Sequence, residues 1–111
     1  MEPVRFRHRH LDVACELVPD DVAGRVAEWG RLRDEAVIAS EPIAGGVRLW
    51  LRASAAETAR DLARREAACC GFLDLDLAEE AGRVRLDVTS SAPGAESVIA
   101  ALTEPSRHSR P

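Results

Sequence analysis

Residues 73–88, LDLDLAEEAGRVRLDV, carry the clearest structural signal in the chain. Leucines alternate with aspartates before the turn at Glu80-Ala81-Gly82, and apolar residues alternate with charged ones after it. Alternation with a period of two is typical of strands that are buried on one face. We therefore predict a β-hairpin whose outer face carries acidic residues on one strand and arginines on the other.

Three more stretches upstream of the hairpin are predicted to be strands. The first covers residues 10–17, where apolar residues of one parity, Cys15 among them, face inward. The second covers residues 37–41. The third covers residues 46–52, with Trp50 on the face opposite to its leucines.

Helices are predicted between these strands. Pro19 and the aspartates after it are typical of a helix start, and apolar residues then recur at helical spacing to about Ala36. Ser54 and Glu57 form a capping box, which predicts a second helix over residues 55–70, ended by a glycine. A short third helix follows the turn at Pro93-Gly94.

The resulting order is β-α-β-β-α-β-β-α. It predicts an α+β two-layer sandwich, an antiparallel sheet with helices on one face, with the ferredoxin-like arrangement as one option. We expect residues 1–9 to be a flexible segment, residues 10–104 to form a single domain and residues 105–111 to be disordered.

Composition limits the class of protein. The chain has 111 residues and a net charge of −4, and its 15 cationic residues are all arginines. No basic stripe is apparent, so we expect no nucleic-acid partner. The sequence contains neither a secretory signal nor an apolar run long enough to span a membrane, which predicts a cytoplasmic protein. Three cysteines is an odd number, and cytoplasmic thiols stay reduced.

One face of the second predicted helix combines apolar and reactive residues. At spacings of three and four, this face contains Ala59, Leu62, Ala63, Glu66, Cys69, Cys70 and Leu73. Glu66 is a carboxylate within an apolar stripe, which is costly unless it is protonated, paired or bound to a metal. Because Cys15 faces the same layer, three thiols and one carboxylate are predicted to converge.

The position of the cysteine pair favours a metal ligand over an unaided nucleophile. The carboxyl end of a helix raises the pKa of a thiol, whereas a metal stabilises the thiolate. Arg64 and Arg65 are close enough in sequence to favour thiolate as well. Adjacent helical residues point about 100° apart, so either the helix unwinds here or one of the two cysteines enters the site. The competing interpretation is that the cysteines pack as small apolar residues and that an arginine pairs with Glu66.

The stretch Glu66-Ala-Ala-Cys-Cys-Gly-Phe-Leu73 resembles the E-x-x-C-C-x-F-L signature of small uncharacterised bacterial proteins that are common in actinobacteria. The resemblance extends to an early cysteine before a proline-led helix and to the hairpin. It implies that Cys15, Glu66, Cys69 and Cys70 are the shared group, and it implies no activity. The chain departs from the family pattern at Gly71, often a proline, and at residues 89–94, where the family usually has Thr-Gly-Pro.

Other candidate sites are weaker. His8 and His10 have the spacing of a surface chelate, but His10 has the outward parity opposite to Cys15, which favours a solvated terminal segment. Trp50 on the outer sheet face is a candidate dimer contact. Gly45-Gly46 reads as a turn, and Ser54 as a helix cap.

Three functions follow from these observations. The first is binding of Zn²⁺, Cu⁺, Hg²⁺ or As(III) by Cys15, Cys69 and Cys70, with Glu66 as a fourth ligand or a neighbouring group. The second is a thiol-redox or thiol-transfer enzyme, in which Cys69 or Cys70 attacks, Cys15 resolves and Glu66 accepts a proton. The third is a homodimeric interaction module that forms through the face around Trp50.

Overall fold

The structure is a computed structural model, and it describes residues 4–6, 19–69 and 72–104. Side chains are described for residues 24–68 and 72–104. The elements are β1 (Val4–Phe6), α1 (Pro19–Ala36), β2 (Val37–Ile43), β3 (Gly46–Arg52), α2 (Ala56–Cys69), β4 (Asp74–Glu80), β5 (Arg83–Thr89) and α3 (Ala95–Thr103).

The strands form one five-stranded sheet in the order β1-β4-β5-β3-β2. All four neighbouring pairs are antiparallel, and β4 and β5 form the hairpin that the alternating pattern predicts. The α+β class and the antiparallel sheet are therefore confirmed. The ferredoxin-like option does not describe this topology, because a split βαβ unit needs parallel strands in its sheet.

The edge of the sheet differs from the sequence prediction. Strand β1 lies at Val4–Phe6, inside the stretch expected to be flexible, and pairs with β4 through Val4 opposite Leu77 and Phe6 opposite Leu75. The predicted strand at residues 10–17 lies outside the described residues. A three-residue run is too short for its alternation to stand out, and an exposed edge of β4 supplies the partner that makes it a strand.

The core lies between the sheet and the helices. The leucines of β3, β4 and β5 and the valines of β5 are fully buried, and they pack against residues of all three helices, including Trp29, Leu62 and Ile99. The opposite face of the sheet carries charged residues, so the helices cover one face and the protein has two layers.

A tight turn between β4 and β5 and a close backbone contact between β3 and β5 fix the register of these strands. Ala81 and Gly82 connect β4 to β5 with φ angles of 54° and 75°, the positive pair that a type I′ turn requires. Gly46 begins β3 against the backbone of β5, where an added Cβ would overlap Val88 O and lie 2.8 Å from Thr89 Cα. A side chain at position 46 would therefore separate the two strands.

The start of α2 is a 3₁₀ turn at Ala53–Ala55, followed by the helix from Ala56. Ser54 lies within this turn, and the residue that caps the turn is Arg52, which makes no side-chain capping hydrogen bond. Ser54, the predicted cap, therefore lies inside the short 3₁₀ turn that precedes α2. In the part of the chain that the structure describes, no helix is long and apolar enough to cross a membrane.

Candidate functional site

Glu66 is the most deeply buried carboxylate among the described residues. It lies on α2 between Ala63 and Ala67, which are also buried, and 2% of its surface is exposed. The helical spacing of the apolar residues predicts this position, and the structure confirms it. A carboxylate there needs compensation, because moving a charge out of water costs several kcal/mol.

Two donors from α1 supply part of that compensation. Trp29 Nε1–H donates a hydrogen bond of 2.7 Å to Glu66 Oε1, and Arg25 Nη1 lies 3.4 Å from the same oxygen. Trp29 is completely buried, and the side chain of Arg25 is 12% exposed. The interpretation in which an arginine at the core edge pairs with Glu66 is therefore confirmed, and that arginine is Arg25. We call Arg25, Trp29 and Glu66 the inner cluster.

A second set of ion pairs lies next to the inner cluster, since Arg25 Nε is also 3.7 Å from Glu28 Oε1. Arg65 of α2 donates two hydrogen bonds to Glu28 of α1, of 2.9 and 2.6 Å, and a third of 2.9 Å to Asp61. Asp61 also accepts a bond of 2.5 Å from Arg64. Two-pronged arginine–carboxylate contacts fix geometry as well as charge, so these bonds set how α1 and α2 meet.

These pairs shift the pKa of each acid. The hydrogen bond from Arg65 lowers the pKa of Glu28 below its usual value of 4.5, with the charges of Arg65 and Arg25 acting in the same direction. The hydrogen bond from Arg64 lowers the pKa of Asp61 in the same way. Both arginines predicted to favour thiolate are thus bonded to carboxylates, which compensate much of their charge.

The cysteines are only partly located. Cys69 is the last residue of α2, three positions after Glu66 and so one helical turn from it. Its side chain, together with Cys15 and Cys70, lies outside the part of the chain whose contacts are described. Among the described residues, no three His, Cys, Asp or Glu side chains are grouped so that they could hold a metal ion. Convergence of the three thiols stays a prediction.

The sequence prediction did not identify Trp29 and Arg25 as partners of Glu66. A signal for both was available. Trp29 belongs to the apolar stripe of α1, and a buried tryptophan usually gives its N–H to an acceptor. Arg25 precedes it by four positions and therefore lies on the same face of the helix. The sequence pattern could not show that α1 packs against α2, because that contact depends on the whole fold.

The other candidates occupy ordinary structural positions where they are described. His8 and His10 lie outside the described residues. Gly45 lies in the β2–β3 turn with a φ of 79°. Trp50 is half-buried on the outer face of the sheet, where its Nε1–H donates a hydrogen bond of 2.9 Å to Glu41 Oε2 and Arg83 lies 4.3 Å above its ring.

Comparison of the chain with protein families, with curated proteins and with solved structures finds no match. The functional argument therefore depends on the chemistry of the residues themselves.

Proposed function

We propose that the protein binds a soft or borderline metal ion, with Zn²⁺, Cu⁺, Hg²⁺ and As(III) as candidates, through the thiolates of Cys15, Cys69 and Cys70. The burial of Glu66, one turn before Cys69, carries the proposal. Two helices can pack together without a buried carboxylate between them. The presence of Glu66 at this position therefore fits a polar site at this end of α2.

Glu66 serves this site as a positioning residue. Its Oε1 atom already accepts a hydrogen bond from Trp29 and lies near Arg25. These contacts connect α2 to α1 one helical turn before Cys69. Carboxylates that orient metal-binding groups from outside the ligand set commonly change metal affinity 10- to 100-fold when they are replaced, an effect of about 1–3 kcal/mol.

The thiolates are the chemically suitable ligands. Sulfur ligands select Zn²⁺ and Cu⁺ over harder ions, and three thiolates suit As(III) or Cu⁺ without a fourth ligand. The carboxyl end of α2 opposes thiolate formation by a bare cysteine, and a bound cation removes that penalty. The same feature disfavours a reactive, uncoordinated nucleophile at this position.

Metal titration of the reduced protein tests the proposal. Zn²⁺ and Cu⁺ should each bind one ion per chain in competition with a chromophoric chelator, and Cys15→Ser, Cys69→Ser and Cys70→Ser should each weaken binding by more than about tenfold. Glu66→Gln keeps a hydrogen-bond acceptor for Trp29 and serves as the matched variant. It should retain the one-to-one stoichiometry, since its side chain is not a ligand.

Two results would reject the proposal: dissociation constants above the micromolar range for every candidate ion, or a Cys70→Ser variant that binds as the parent does. A thiol-redox or thiol-transfer enzyme is the remaining alternative, with Cys69 or Cys70 as nucleophile and Cys15 as resolving thiol. Alkylation rates measured against pH distinguish it, because such a nucleophile titrates well below the usual thiol pKa of about 8.5.

A further inference from the structure

The face of the sheet that the helices leave uncovered has an ordered distribution of charge. Strand alternation brings Asp74, Asp76 and Glu80 of β4 to this outer face, and it brings Arg48 and Arg52 of β3 to the same face. Strand β5 lies between β4 and β3 and is the central strand of the five. The outer face therefore has an acidic strand and a basic strand on opposite sides of a central axis.

The register makes the two sides complementary. Asp76 and Arg48 both pair with Asp87, Ala78 and Trp50 both pair with Arg85, and Glu80 and Arg52 both pair with Arg83. Asp76 and Glu80 of β4 are therefore level with Arg48 and Arg52 of β3, whereas Asp74 is level with Gly46.

For the strands on either side of β5, this arrangement matches a rotation of the face onto itself. Along β5 each residue meets its own copy, and Arg85 and Asp87 are there already paired with each other. A twofold axis along β5 stacks β4 of one copy on β3 of another and keeps every residue at its own level. Asp76 then faces Arg48 of the second copy, and Glu80 faces Arg52. Both halves of the contact form twice, as an interface between identical surfaces requires.

We propose that a second copy of this chain docks on the outer face, with the twofold axis along β5. The central residues suit an interface, because tryptophan and arginine dominate the binding energy of protein contacts. Trp50 is already held by Glu41 and Arg83, so its docking costs little side-chain entropy.

The available area limits the size of the interface. Four seven-residue strands at about 4.8 Å spacing and 3.4 Å per residue cover roughly 450–500 Å² on each copy. The total of roughly 1,000 Å² is at the lower limit for a specific interface, so we expect a reversible dimer with a dissociation constant of about 10 µM.

Sedimentation velocity between about 1 and 500 µM tests the dimer directly, since the monomer is 12.0 kDa. We expect Trp50→Ala and Arg52→Glu each to weaken association by about tenfold or more. Arg52→Glu combined with Glu80→Arg exchanges the two charges and should restore association in this geometry alone. Arg31→Glu, an exposed arginine on the helical layer, is the matched control and should change nothing.

A protein that remains monomeric up to about 500 µM overturns the proposal, because even a small specific interface would then be populated. So does a dimer that persists in Trp50→Ala, or one that the charge exchange fails to restore. Circular dichroism of each variant confirms that loss of association is not loss of folding.

Discussion

Glu66 and Asp87 are the two buried carboxylates among the described residues, and they lie in opposite layers of the molecule. Glu66 is 2% exposed in the helical layer and Asp87 is 8% exposed on the outer face of the sheet. Arg48 binds Asp87 with two hydrogen bonds of 2.8 and 3.1 Å, and Arg85 adds a third of 2.7 Å. Trp29 donates a hydrogen bond of 2.7 Å to Glu66, and Arg25 lies 3.4 Å from the same oxygen.

The difference fits a structural role for Asp87 and the functional role that we propose for Glu66. Asp87 belongs to a row of cross-strand ion pairs, which is a common way to finish a sheet face in contact with water. Glu66 lies in the apolar stripe of α2 with the buried Ala63 and Ala67, where an apolar residue would need no compensating charge. A carboxylate kept under those conditions, beside a cysteine pair, is the stronger candidate for function.

Removing the inner carboxylate should have the largest effect. Glu66→Ala leaves the Trp29 N–H buried without its acceptor and removes one of the carboxylates near Arg25, another being Glu28 at 3.7 Å. We therefore expect a loss of about 3 kcal/mol in the free energy of unfolding. Urea denaturation measures it. Glu66→Gln keeps an oxygen acceptor for Trp29 and should lose about half as much.

A Glu66→Leu variant tests whether Glu66 contributes to the stability of the fold or to metal binding. If an apolar residue of similar size proves as stable as the parent while metal binding falls, Glu66 is retained for the site and not for the fold. If Glu66→Ala costs less than about 1 kcal/mol, the inner cluster is not a stabilising contact and the contrast with Asp87 fails.

Removal of the outer carboxylate should cost less. Asp87→Ala leaves Arg48 without this partner, but Arg48 is 32% exposed and Arg85 keeps Glu80, so we expect a loss of about 1.5 kcal/mol. Added salt should weaken the parent's advantage over this variant only slightly, because partly buried ion pairs are screened less than exposed ones. A larger loss than in Glu66→Ala would reverse the ranking of the two layers.

The sequence predicted the parts of this picture that depend on periodicity. Alternation in residues 73–88 gave the hairpin and its charged outer face, and the helical stripe gave the burial of Glu66. It did not give Trp29 as a hydrogen-bond donor, because that contact depends on how two helices of separate sequence regions cross. It also missed β1 at Val4–Phe6, since pairing with β4 and not local pattern makes those residues a strand.

A third carboxylate, Glu28, lies at the rim of the inner cluster and is intermediate in exposure. Its side chain is 30% exposed, and its bond to Arg65 lowers its pKa below 4.5. A lowered pKa in the folded state adds stability above the unfolded value, and that stability is lost as pH falls through the folded value. We expect Glu28→Gln to cost about 0.5 kcal/mol at pH 7 and progressively less below about pH 4.5.

Unfolding free energies measured between about pH 7 and pH 2.5 check this dependence. Glu35→Gln, an exposed glutamate on the same helix, is the control and should differ little from the parent at any pH. A Glu28→Gln penalty that stays constant down to about pH 2.5 would show that the Arg65 pair does not depend on the charge of Glu28.

The smallest expected effect is spectroscopic and separates the layers without changing stability much. The chain has two tryptophans, Trp29 bonded to Glu66 and Trp50 on the outer face. Because Glu66 is one turn from Cys69, filling the thiol site with Zn²⁺ or Cu⁺ should alter the emission of Trp29 in a Trp50→Phe variant. It should leave the emission of Trp50 unchanged in Trp29→Phe, at protein concentrations low enough to keep the chain monomeric. An equal response from both tryptophans would mean that the bound ion acts on the whole fold, and that the inner cluster has no special connection to the cysteines.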